Sequence, residues 1–331
     1  MEAVNVLYIT FFTIVFFSVW FIRGGDILGF PDRIKKRDNP IIFWACAIII
    51  LLFSGMTVDP RGTIFTANYR DITSERYGFI DYSLIFAMMA FIFGGGKKRE
   101  KVLIFVCAIY IAINLLYGLR LRSIQMMLLM FILFFERKIS PKQTLWISIL
   151  GLLGSQIFGQ LRAAIEIDSL AAAFGGVNGI MVTNQGGVFL TANMYIGLIQ
   201  DGLISSNQRI TTFVGNIIAI VYSQNSLPDD YNIARLAANH FSIPGGGLIS
   251  GYMYAWGGVL GLVAGTLCIT VIYLRAYSRK CSEYFLVYGV LIMSIIPRWF
   301  AYSPLHLFKM GVWCVFVFAF LKVLDKSLRE V

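Results

Sequence analysis

Apolar residues run through this chain in long continuous stretches broken by short polar segments. Read along the chain, the apolar runs lie near 4–22, 41–58, 78–95, 102–118, 121–135, 143–161, 187–204, 209–223, 247–274, 284–297 and 305–323. Runs of about 20 apolar residues match the thickness of a bilayer's hydrocarbon core, so the pattern predicts helices that cross a membrane. Short alternating strands, the mark of a membrane barrel, are not what the chain presents. The expected fold is therefore an all-α polytopic membrane protein with about eleven transmembrane helices, forming a single integral membrane domain over 1–331. The pair 187–204 and 209–223 fits least well. Asn193, Gln200, Asp201 and Asn216 interrupt it and its second member is short, so re-entrant and surface-lying placements stay open beside two crossings.

The polar segments alternate in character. One set is basic: Arg23 to Asn39, Lys97 to Lys101, Arg137-Lys138 with Lys142, Arg275 to Lys280, and the tail with Lys326 and Arg329. The other is longer and mixed: Asp59 to Tyr77, Ala163 to Gly186, Gln224 to Gly246 and Arg298 to Pro304. Basic loops stay on the cytoplasmic side, which puts the amino terminus and the mixed loops outside and the carboxyl terminus inside. Two larger outer loops result, near 163–186 and 224–246. The first apolar run has Glu2 and no basic residue before it, so it reads as a retained span rather than a cleaved signal.

Composition sharpens this picture without changing it. The chain is 58% hydrophobic and 14% charged, where a soluble domain carries about 25% charged residues. The net charge of +10 lies in short loops between spans and not on an aromatic-studded basic face, so no nucleic-acid partner is expected. Cys46, Cys107, Cys268 and Cys314 sit inside apolar runs and Cys281 in a basic loop; no pair has metal-ligand spacing.

The candidate chemistry gathers on the outer side. Its basic residues are arginines: Arg61, Arg70, Arg76, Arg120, Arg122, Arg162, Arg235 and Arg298, whereas the inner loops carry lysine-rich runs. A planar guanidinium fork grips phosphate or diphosphate through paired donors, so these arginines predict a site for an anionic headgroup at the outer membrane edge. The longest polar stretch, Asn225 to Gly261, adds Asp229, Asp230, Arg235 and His240 before the turn Gly245-Gly246-Gly247. His240 suits a general base near neutral pH; Asp229, Asp230, Glu166 and Asp168 are the other candidates. Tyr252 and Tyr254, with Trp256, Trp299 and Tyr302, are candidates for stacking on sugar faces. No span carries a chain of carboxylates of the kind an ion relay needs.

The central loop resembles the O-antigen polymerase and O-antigen ligase group of bacterial envelope glycan enzymes. Arg235 and Gly246 have the Arg-x10-Gly spacing of the polymerases' outer loops. The other outer loop departs, with twelve residues between Arg162 and Gly175, and Gly251 stands where many polymerases carry an acid. The ligase pattern, His-[Asn/Ser/Gln]-x9-Gly, is matched by His240 and Gly251 but broken at Phe241. The resemblance implies a GT-C-like fold and a metal-independent glycosyltransferase of the bacterial inner membrane, active on the periplasmic side. It also implies a substrate: a polyprenyl diphosphate-linked oligosaccharide serving as donor and acceptor. Arg120, Arg122, Arg162 and Arg298 would hold the diphosphate; Arg235 and His240, or a nearby carboxylate, would do the chemistry; Asp229, Asp230, Tyr252 and Tyr254 would meet the glycan. No metal or cofactor is called for, and membrane lipid and a chain-length regulator protein complete the expected partners. A ligase using lipid A-core as acceptor and a flippase for lipid-linked sugars are the alternatives.

Overall fold

The computed structural model describes residues 4–9, 11–13, 15, 33–58, 78–135, 142–143, 146, 184–241, 246–278 and 281–330. Most of the expected span 143–161, the rest of the first run to residue 22, Arg162, and the loops 59–77 and 163–183 fall outside these residues. Where the sequence reads as one membrane domain, the chain divides into two compact units: Gly29–Gly179 with Cys314–Val331, and Met1–Leu28 with Ile180–Trp313. Among the described residues both are helical, and an isolated bridge between Asp38 and Gly94 is the extent of β pairing.

In the first unit, α1 (Pro40–Thr57) opens on the sequence Asn-Pro. The Asn39 side chain accepts the Ile42 amide at 3.2 Å, and Pro40 takes a first-turn position where its missing N–H costs nothing. Residues Ile42, Phe43, Cys46, Ile50 and Ser54 face inward at helical spacing, while Ile41, Trp44, Ile48 and Leu52 point out. A helix apolar on its exposed face as well as its buried one is built for lipid. Helix α2 (Ser83–Phe93), entered through a 3-10 turn at Gly78–Tyr82, is buried nearly all round and packs on α1. Helix α3 (Lys97–Leu116) turns within Tyr117–Leu119 into α4 (Arg120–Met130), which continues as a π-turn over Phe131–Phe135. Gly118, at φ 74°, makes that reversal possible.

In the second unit, helical residues 4–9 and 11–13 carry Asn5 into the interior. Its amide donates to Asn193 and accepts Ser250 Oγ at 2.7 Å, tying α5 (Asn184–Gln200) to α8 (Ile249–Tyr277). Between them come α6 (Ser206–Ile218), 3-10 turns at Gln224–Ser226 and Asp229–Tyr231, and α7 (Ile233–Ala238). Helices α9 (Glu283–Ser294) and α10 (Ile296–Ala301) lead to α11 (Leu305–Glu330), whose residues from Cys314 belong to the first unit. The core here is Tyr195, Leu198, Ile204, Ile233, Ala237, Tyr252 and Ala255.

Three helices among the described residues are long and apolar enough to cross a membrane: α1, α8 over Ile249–Ala276, and α11. That matches a helical membrane protein. The remaining apolar stretches near 78–93, 187–200 and 283–294 are shorter. Helix α8 is also not one rod. Gly258 has φ 60° and ψ −145°, a conformation that only glycine adopts readily, and it divides the helix after residue 257.

Candidate functional site

The loop expected to carry the chemistry is built on its own hydrogen bonds. Asn232 caps α7 by accepting the Ala234 amide at 3.0 Å. Arg235, one turn on, reaches back: its Nη1 donates to Asp229 Oδ1 at 2.8 Å and to the Leu227 carbonyl at 3.0 Å. This pair is solvated, with Arg235 about one-third and Asp229 nearly three-quarters exposed. Asp230 and His240 are exposed too, His240 just beyond the end of α7.

The glycines that follow approach protein. A Cβ at Gly246 would lie 2.6 Å from Tyr302 Cα, and one at Gly247 would lie 2.5 Å from the Tyr195 ring. The Arg-x10-Gly glycine thus has a packing reason of its own, since it lets the start of α8 touch the turn before α11. Tyr252, expected to meet glycan, is a correction: it is 5% exposed, set edge-on to Tyr195 with ring centroids 5.5 Å apart. Its apolar ring is buried in the core instead of offered to a sugar. Tyr254 is half-buried and its hydroxyl accepts Gln200 Nε2 at 3.4 Å.

The turn that Gly246 touches carries the densest chemistry. Pro297 and Arg298 open α10, and Arg298 Nε donates to His306 Nε2 at 3.2 Å across the Ser303-Pro304 corner. Accepting that bond leaves the imidazole's other nitrogen to carry its proton. Lys309, one turn beyond His306, donates to the carbonyls of Ala219 at 3.0 Å and Tyr222 at 2.8 Å, which close the end of α6. A cation at a helix C-terminus satisfies carbonyls that have no partner within the helix. The charges of Arg298 and Lys309 both act on that imidazole.

Arg209 plays the matching part at the other end of α6. The break at Gly258 orphans the last carbonyls of the 249–257 segment, and Arg209 Nε donates to Ala255 O at 2.7 Å and its Nη2 to Tyr254 O at 3.4 Å. Among the described residues no group of three His, Cys, Asp or Glu side chains comes together as a metal site would require.

The structure therefore keeps Arg235, Asp229, Asp230, His240, Tyr252, Tyr254 and Arg298 within one unit. Arg120 and Arg122 belong to the other. Arg120 opens α4, half-buried, and Arg122 Nε donates to Asp81 Oδ1 at 2.8 Å with both side chains largely buried. Arg122 is thus joined to a carboxylate inside the protein. Three functional-looking residues went unnoticed in the sequence: His306, Lys309 and Arg209. The first two sit three apart at the head of an apolar helix, a spacing that puts both on one face. In comparisons with known proteins, no family model, curated protein or solved structure matches this chain.

Proposed function

We propose that this protein is a repeat-unit polymerase of bacterial O-antigen or capsule. It would transfer a polyprenyl diphosphate-linked glycan to the terminal sugar of another lipid-linked repeat unit, at the periplasmic edge of the inner membrane. The observation that carries the reading is the Arg298–His306 pair beside Lys309, at the turn where α11 begins. Cations beside a bound diphosphate can stabilise charge as it develops on that leaving group. The acceptor hydroxyl attacks the anomeric carbon, the bond from that carbon to the diphosphate oxygen breaks, and the hydroxyl proton passes to a base. His240 is exposed for that duty, with Asp229 and Asp230 in the same loop. Arg235 fits a supporting role, because an exposed pair such as Arg235–Asp229 is worth only about 0–1 kcal/mol and a diphosphate could displace the carboxylate.

The test is the purified protein in liposomes with labelled lipid-linked repeat units. A ladder of extended glycans, lost in Arg298→Ala, is the expected result. Movement of label across the bilayer without new glycosidic bonds would instead make the protein a flippase. Product formed only when lipid A-core is added would make it a ligase.

A further inference from the structure

We propose that α6 does not cross the bilayer. It lies along one membrane edge, with its apolar face sunk among the headgroups and upper acyl chains.

The helix is amphipathic with its polar side turned inward. Ile210, Phe213, Val214 and Ile217 are exposed and recur at i, i+3, i+4 and i+7, and exposed Val221 follows in the turn after the helix. Thr212, Gly215 and Asn216 on the other side are buried. An exposed face of this kind needs an apolar solvent, and in a chain with membrane-length helices that solvent is lipid. Length decides how the helix sits in it. From Ile210 to Ile217 the apolar stripe of the helix is about 10 Å long at 1.5 Å per residue. A crossing would need about 30 Å. Polar groups bound the stripe at both ends. Ser205 and Gln208 form an exposed capping box before it, and exposed Ser223 follows it.

The anchors of α6 point the same way. Its amino-terminal end is held by Arg209 to Tyr254 and Ala255, within the first two turns of α8. Its carboxyl-terminal end is held by Lys309, within the first two turns of α11. Those two helices begin beside each other, because Gly246 packs on Tyr302. A crossing helix would meet one neighbour near its start and another near its finish. Helix α6 meets α11 near its start and α8 at the close of its short opening segment, only about 10 Å from where α8 begins and far short of the ~30 Å of a crossing, so both its ends lie toward one edge. The turn at 201–205 and the loop at 223–231 then share a side of the membrane, where the alternation of spans along the sequence puts them on opposite sides.

The experiment uses the full-length protein in proteoliposomes, with its five native cysteines replaced and single cysteines introduced. A fluorophore at Ile210→Cys, Val214→Cys or Ile217→Cys should lose more emission to lipids brominated near the headgroup than to lipids brominated near the chain ends, and to a similar extent at all three positions. Ser206→Cys and Ser226→Cys should react with a membrane-impermeant maleimide from the same side. Quenching that deepens steadily along the helix, labelling from opposite sides, or no quenching by any lipid because a protein covers the face would each overturn the proposal. Should the three apolar-face variants fail to accumulate, the two variants at exposed polar positions still decide it.

Discussion

The two units of this protein treat positive charge in opposite ways. In the first, cations meet carboxylates. Arg122 is joined to Asp81, Arg99 to Asp38, Lys36 to Glu100, and Arg37 and Arg329 to Asp325. In the second, the cations seen most clearly meet neutral acceptors. Arg209 and Lys309 address backbone carbonyls, and Arg298 addresses an imidazole. A carboxylate cancels a charge, whereas a carbonyl or imidazole orients it and leaves the charge standing. The second arrangement is the one that suits an anionic ligand; the carboxylate pair Arg235–Asp229 in the same unit is exposed and weak.

Breaking these contacts in order of expected cost tests the contrast. Asp81→Ala leaves Arg122 buried without its carboxylate and should destabilise the protein by about 3–5 kcal/mol, read as a large fall in thermal stability in detergent. Little or no change would mean that water reaches the pair. Arg298→Ala should lower the rate of glycan extension by about 100- to 1,000-fold, as loss of a charge-stabilising donor does, with thermal stability nearly unchanged. A matching fall in stability would make Arg298 a structural residue like Arg122. Arg209→Ala strands the Tyr254 and Ala255 carbonyls at the helix break and should cost about 1–3 kcal/mol, with Arg209→Lys recovering part of it. The smallest effect is reserved for Arg235 and Asp229. A double-mutant cycle on stability should give a coupling of about 0.2–1 kcal/mol that shrinks as salt is added.

Much of the architecture was readable from periodicity, because a bilayer imposes a length and the apolar runs declare it. The bounds of α1, α2, α8 and α11 fall within a few residues of the apolar runs, except that α11 runs on through its charged tail to Glu330. What the pattern concealed was local geometry. Gly257-Gly258 lies inside an apolar run and reads as continuous helix; nothing about hydropathy announces a φ of 60°. Helix α6 lies in the run that fits a span least well, and the side its polar residues face shows only when Thr212 and Asn216 are seen to be buried. The Arg298–His306 contact joins residues on either side of a proline corner, a proximity made by tertiary packing. The glycines after His240 read as a close approach of backbone to a ligand or as the entry into a helix; in the structure Gly246 and Gly247 lie against Tyr302 and Tyr195.

The carboxylate of Asp325 also has a consequence in time. It sits on the last helix, 3% exposed, and accepts from Asn39 at 2.9 Å across 286 residues of chain. A ribosome delivers Asn39 and Arg37 well before their partner, which lies far down the chain. Until Asp325 emerges those contacts are unmade, so this half of the molecule closes only after the long intervening stretch of chain has been synthesised.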